Sequence, residues 1–419
     1  MGVAVVAAAV AGVLVWRGGD NPHPPPRVDA RPAPTLQPLR VAEKPLWTEP
    51  GDVVWVEEQD GLMLFAHSGL ELTLYDATTG TPRWTLGKMH DFGGFMYSPR
   101  LWGAPDERHL VGQEGVLVQY DQGDCHAGFC EPSPGHESGL VLVSATDGSI
   151  VWRTPALTFP EGPLRERPEP MLQVVDDRVA VVSVLTGLVG SVYDKGIQRN
   201  VAFDVRTGAK LWEGADGVWP MWIVGDTMLG VVSARFPSTW VNGEATGATI
   251  VATNLHTGEK QWERADSRLV MVAGDLALIT DGAPRLTAVT ADDGREVGSL
   301  DHTDRMADCR TDRTTLVACS SKSDGRAHDI VTFDVKRRKL GTATPGKQTV
   351  LTLDSVRGGR LWVTGRQARD PGEDRAYTID SAGNEIDRKL DLPGDILLLT
   401  EDKAVLRNED ATGVYEILD

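Results

Sequence analysis

The sequence predicts an all-β protein, an eight-bladed β-propeller with seven blades as the alternative, closed by an N-terminal strand and preceded by an apolar anchor helix. Three observations predict it. A turn motif (Asp or a polar residue, two residues, Thr or Asp, Gly, then Trp four positions on) recurs at blade-length spacing. Strands of alternating apolar residues flank each copy, and no part of the body keeps a helical period. Glycine is frequent, 45 of 419 residues, as many tight turns require.

The motif is complete in four places: Leu72 to Trp84, Leu140 to Trp152, Val201 to Trp212 and Ile250 to Trp262. It then decays. The next copy keeps Gly294 but has Gly298 at the Trp position. The one after has Arg338 for Gly and Thr342 for Trp. The last keeps Asp380 and Gly383, with Asp387 for Trp. The turns at 80, 148, 208, 258, 294, 338 and 383 are 68, 60, 50, 36, 44 and 45 residues apart. The shorter spacings fit four strands per unit, a propeller blade.

Each position has a physical role. Alternation such as Val201, Phe203 and Val205 puts one set of side chains on one sheet face. The leading Asp or Asn bonds the loop backbone, and Gly80, Gly148, Gly208, Gly258, Gly294 and Gly383 supply the positive φ of a bulged hairpin. The tryptophans, Trp84, Trp152, Trp212 and Trp262, are placed to pack on a neighbouring sheet. Burying about 200 Å² of indole stabilises by at most roughly 5 kcal/mol.

The two ends supply the remaining unit. The C-terminus offers three strands, from Asp395, Ala404 and Gly413, and stops where the turn motif belongs. The N-terminus offers one strand, Leu39 to Trp47, before a new blade starts at Gly51. Sharing strands in this way removes sheet edges and ties the termini together.

Residues 1–16 carry no charged side chain and span roughly 24 Å as a helix, short of the roughly 30 Å hydrocarbon core. No basic residue precedes the run and Ala9-Val10-Ala11 lies inside it, so a signal-anchor fits better than a cleaved signal. Arg17, Arg27 and Arg31 follow it, which the positive-inside rule associates with the cytoplasm. Residues 17–38 are a Pro-rich, semi-rigid linker, and residues 39–419 are the propeller.

The four cysteines are Cys125, Cys130, Cys309 and Cys319. Four cysteines allow three pairings, and the two short-loop pairs are the natural ones, stabilising by roughly 2 and 3 kcal/mol. A metal reading of Cys125, His126 and Cys130 lacks the usual spacing and a complementary cluster. Two disulfides imply an oxidising compartment, hence an extracytoplasmic propeller. The net charge of −18, from 60 acidic and 42 basic residues, disfavours nucleic acid as a partner.

With the Asp-x-x-Thr-Gly-x-x-x-Trp units in view, residues 39–419 resemble the bacterial PQQ-type repeat propellers, the quinoprotein alcohol dehydrogenase-like superfamily. Fold does not decide function. One branch implies a dehydrogenase holding pyrroloquinoline quinone and Ca²⁺ in the central funnel. This sequence has no adjacent cysteine pair, and none of that branch's cofactor or metal ligands can be matched onto it. The other branch resembles the propeller lipoprotein of the outer-membrane β-barrel assembly machine, a non-catalytic scaffold. Without a lipobox cysteine near the N-terminus, attachment falls to the apolar segment.

Local motifs point to no chemistry. Gly341 to Gln348 nearly matches a P-loop, but Gln348 replaces the Mg²⁺-binding hydroxyl and no helix follows. Asp292 and Asp293, like Asp204, Asp334 and Asp380, sit at repeat turns with a local bonding role. No catalytic residue, metal site or cofactor is predicted; PQQ and Ca²⁺ belong to the alternative only. Insertions at 121–139, 186–200 and 235–247 separate the second and third strands of their units. They carry Phe129, Tyr193, Phe236 and Trp240, which either cap their own blades or contact a partner. The expected function is a membrane-anchored module for protein interaction, scaffolding or ligand sensing, its partner a protein or small ligand.

Overall fold

The computed structural model describes residues 40–419 except 68–70, 88–95, 98–108, 122–123, 127–128, 132–136, 155–156, 159–168, 186–196, 215–216, 233–247, 282–284, 302–304, 312–313, 324–325, 344–348, 358–359, 368–373, 381–384, 389–393, 401, 409–410 and 419. Pro38–Asp419 form one compact unit. Every regular element among the described residues is a β-strand. No helix there is long and apolar enough to cross a membrane, and the segment read as an anchor lies outside the described residues.

The strands form a propeller. Seven blades are built from consecutive strands: blade 1 (53–86), blade 2 (96–153), blade 3 (169–214), blade 4 (219–264), blade 5 (267–301), blade 6 (305–343) and blade 7 (349–388). Each is an antiparallel sheet with strands a to d in chain order. In blade 2, strand a is split into Met96–Tyr97 and Leu110–Val111.

The reading of eight blades counted the end strands as one more repeat, and the structure corrects it. Among the described residues seven blades are contiguous. The end strands form a composite closing sheet, made of Asp395–Leu399, Lys403–Arg407 and Ala411–Leu418 with Arg40–Val41 and Trp47–Pro50. Its outer edge is two short pieces, because no turn motif links it to the strand it covers. The register sets Arg40 against Leu418 and Trp47 against Val414. The N-terminal strand therefore closes the ring as expected.

The core lies between sheets. Val141 and Val143 of blade 2 pack with Leu62, Leu64 and Leu74 of blade 1. Val182, Val201 and Phe203 of blade 3 pack with Leu117 and Leu142 of blade 2. Val405 and Val414 of the closing sheet pack with Phe65 and Tyr75 of blade 1. Alternation does this: each strand's inward set meets one neighbour and its other set the next.

Strand a carries a one-residue bulge against strand b in every sheet except blade 2. The extra residues are Val54, Gln173, Met221, Val270, Asp308, Asp354 and Leu397. A bulge adds local twist, which the innermost strands need where the ring is narrowest.

Candidate interaction surface

Strand order divides the ring into two faces. The a–b and c–d hairpins open on one face, and the b–c connections open on the other. The c–d face is built by the repeat turn. Asp76 Oδ1 accepts the backbone N–H groups of Thr78 and Thr79 at 3.1 and 2.9 Å and the Thr79 hydroxyl at 3.1 Å. Asp204 accepts the Thr207 N–H and hydroxyl, both at 2.8 Å. Asn254 takes the same part with His256 and Thr257, each at 3.0 Å. These N–H bonds hold the Asp76 carboxyl below the usual range. The Asp204 and Asp334 carboxylates are thus turn-builders, as is Asp293, which accepts the Thr290 hydroxyl. Asp380 ends a strand, and its side chain is outside the described set.

Gly80, Gly148, Gly208, Gly258 and Gly294 all take the positive φ read from the sequence, between 66° and 74°; Gly383 lies outside the described residues. The glycines have a second role that the sequence did not disclose. Each receives the indole of the preceding sheet: Gly80 that of Trp47, Gly148 that of Trp84, Gly208 that of Trp152, Gly258 that of Trp212 and Gly294 that of Trp262. The indole N–H groups of Trp152, Trp212 and Trp262 donate to the carbonyls of Val205, Leu255 and Ala291 at 2.8, 2.7 and 2.8 Å. Trp84 donates one residue earlier, to Ser144, at 2.9 Å. The Trp47 indole nitrogen has no partner among the described residues.

The residue after the leading Asp is therefore a junction. Its N–H reaches back to its own blade's a–b hairpin, as in Val205 to the Arg178 carbonyl and Leu255 to the Asp226 carbonyl, both 2.8 Å. Its carbonyl serves the neighbour's tryptophan. Charge pairs add to this knitting. Arg178 lies 3.0 Å from Asp226 of the next blade, which also meets His256 at 3.2 Å. Arg206 pairs with Glu114 at 3.6 Å, and Arg338 with Asp275 at 2.9 Å. The His256 and Arg178 contacts hold the Asp226 carboxyl low.

The ring-closing junction contains a polar group that no repeat pattern marks. The Tyr75 hydroxyl donates to Glu49, and His67 Nε2 lies 3.2 Å from Glu49 Oε1, with both side chains about a tenth exposed or less. The Trp47 ring stacks on Tyr75 at 4.9 Å. Glu49 raises the histidine's pKa, and burial raises the tyrosine's. Nearby, Glu57 accepts the backbone N–H groups of His109 and Leu110 at 2.9 and 3.2 Å. Burial lowers His109 to about 4. These residues are far apart in sequence, so only the closed ring reveals them.

The b–c face carries the insertions. In blade 2, strands Asp124–His126 and Phe129–Glu131 form a small hairpin between b and c, with Cys125 opposite Cys130 and Phe129 opposite His126. Tyr193, Phe236 and Trp240 lie outside the described residues, within the b–c connections of blades 3 and 4. Cys309 and Cys319 are joined by a disulfide across strands a and b of blade 6. Among the described residues no group of three or more His, Cys, Asp or Glu side chains is arranged to hold a metal. Gly341 to Ala343 end strand d of blade 6, and the rest of the P-loop-like run lies outside the described residues.

Residues 69–265 match the family described as outer membrane protein assembly factor BamB. No curated relative matches the chain. Among solved structures, the WD40 domain of SCAP from fission yeast is similar at 8% identity, covering 90% of this chain and 98% of that one, with a TM-score of 0.50. BamB from Moraxella catarrhalis is similar at 13% identity, covering 90% and 99%, with a TM-score of 0.48. Quinohemoprotein alcohol dehydrogenase from Comamonas testosteroni is similar at 12%, covering 90% and 76%, with a TM-score of 0.46. With its Asp-x-x-Thr-Gly turns, each glycine seated under the preceding tryptophan, this chain is a β-propeller whose residues 69–265 match a PQQ-like repeat family.

Proposed function

We propose that this protein is a non-catalytic interaction module that presents its b–c face to a protein partner. The observation that carries this is the division of labour between faces. On the c–d face, turn carboxylates bond their own loops, and the carbonyls of Val205, Leu255 and Ala291 and several arginines are engaged with neighbouring blades. The b–c connections hold the additional chain, including the Cys125–Cys130 hairpin. The match to an outer membrane assembly factor supports a scaffold role and an extracytoplasmic location. On this reading residues 1–16 anchor the protein to a membrane, and the Cys309–Cys319 disulfide is formed outside the cytoplasm. The described chain begins at Arg40 beside Leu418, on the c–d side of the closing sheet.

Photo-crosslinking residues placed in the native host test this. Sites at Tyr193, Phe236 and Trp240 should capture one discrete partner, and sites at Thr207 and Lys336 on the c–d turns should not. Capture from the c–d sites alone would reverse the assignment of faces. Purified protein mixed with PQQ and Ca²⁺ should acquire no quinone absorbance and no dye-linked alcohol oxidation; a positive result would make it an enzyme.

A further inference from the structure

Trp84, Trp152, Trp212 and Trp262 each donate the indole N–H to a carbonyl of the next blade, at distances between 2.7 and 2.9 Å. Trp47, which joins the closing sheet to blade 1, stacks on Tyr75 at 4.9 Å, and its buried nitrogen has no partner among the described residues. At this seam Glu49, two residues on, takes over the polar fastening. Its side chain is 9% exposed and meets two groups of blade 1. The Tyr75 hydroxyl donates to Oε2, and His67 Nε2 lies 3.2 Å from Oε1 without the alignment of a hydrogen bond. Charge therefore joins His67 to Glu49, and the imidazole carries charge only when protonated. On the closing sheet Glu49 sits opposite Thr412, whose buried hydroxyl has no partner among the described residues. Arg407, in the next strand of the same row, donates to the Val53 carbonyl at 3.4 Å.

We infer that Trp47–Pro50 is a releasable clasp on the ring, locked by the Glu49–His67 ion pair and loosened when His67 gives up its proton. The strand has four residues, and Pro50 brings no N–H to the ladder, so side chains carry much of its attachment. It runs into Gly51, whose φ of 98° suits a hinge, and a Cβ there would lie 3.7 Å from His67 Nδ1. Deprotonation of His67 leaves a nearly buried carboxylate with one hydrogen bond, and a buried charge that loses its partner is strongly destabilising where it stands. Lifting this short strand returns Glu49 to water without unfolding a blade, an opening of low free energy. The other charges around His67 are Glu71 and Asp52, which like Glu49 favour its protonated form while burial opposes it. Release would uncover the edge of Ala411–Leu418 at the point where the N-terminal chain joins the ring. The clasp does not depend on which face meets a partner.

Amide hydrogen exchange of the full chain tests this, with each rate corrected for the intrinsic effect of pH. Between about pH 6 and about pH 9, protection over Leu46–Glu49 and Ala411–Leu418 should fall by about tenfold or more. Protection over Ile250–Asn254 in blade 4 should stay level across the same range. Glu49→Gln keeps an acceptor for Tyr75 and removes the charge, so protection at the clasp should no longer change with pH. His67→Gln should hold the clasp at the low, alkaline level throughout. A wild-type clasp whose protection is flat with pH, or falls only in step with blade 4, would overturn the proposal. So would a Glu49→Gln chain that keeps the wild-type pH dependence.

Discussion

Gly208 lies against the indole of Trp152 so closely that a Cβ on the glycine would fall 2.6 Å from Trp152 Cε3. Two constraints meet at this residue. Its φ of 68° disfavours any side chain, and the indole fills the space that a side chain would need. Gly208→Ala should therefore destabilise by roughly 2–4 kcal/mol, the sum of left-handed strain and overpacking. Chemical denaturation of the two proteins checks it. A loss near 1 kcal/mol would mean that φ alone matters.

Blade 6 separates the two constraints. Arg338 holds the glycine position of the turn at a φ of 51°, and the facing residue of blade 5 is Gly298, which brings no indole. A side chain is tolerated there because its space is empty. Gly298→Trp alone should destabilise, since Arg338 occupies the seat. Combined with Arg338→Gly, it should recover at least about 1 kcal/mol relative to the sum of the single changes. A double-mutant cycle in urea measures the coupling, and additivity would argue against the seat.

Native material alkylated without reductant should show no free thiol at Cys309 or Cys319. The register that sets Cys125 opposite Cys130 leads us to expect the same of that pair. Replacing both Cys309 and Cys319 by Ser should cost about 2–3 kcal/mol, the value for a loop of this length. Mass spectrometry and thermal melts together test both statements.

Two histidines predict opposite pH effects. Glu49 raises His67 above the usual histidine value, so the folded state favours the protonated ring. That stabilisation is complete below the usual value and is lost as the pH rises through the raised one. Burial lowers His109 to about 4, so the folded state favours its neutral ring. Its contribution is present above the usual value and is lost as the pH falls toward 4, up to about 3 kcal/mol. Stability measured against pH should lose its alkaline slope in His67→Gln and part of its acid slope in His109→Gln. Parallel curves for wild type and both variants would refute the assignment.

Local periodicity made the all-β propeller legible in the sequence. A turn that needs a leading carboxylate and a left-handed glycine within five residues, between alternating strands, leaves its mark in consecutive letters, as in Asp204 to Gly208. The same locality made the Cys309–Cys319 pair legible, since its partners lie on one hairpin. What the tryptophan touches was not legible, because Trp152 meets Gly208 and Val205 across more than fifty residues and two sheets. Nor was the Tyr75–Glu49–His67 group, which exists only when the first strand is laid against the last sheet. The sharing of strands between the two ends was legible, because the C-terminal strands stop where a turn motif belongs; the register that sets Arg40 against Leu418 was decided only by ring closure. Short-range backbone preferences set each blade, whereas long-range burial and ring closure decided how one blade is fastened to the next.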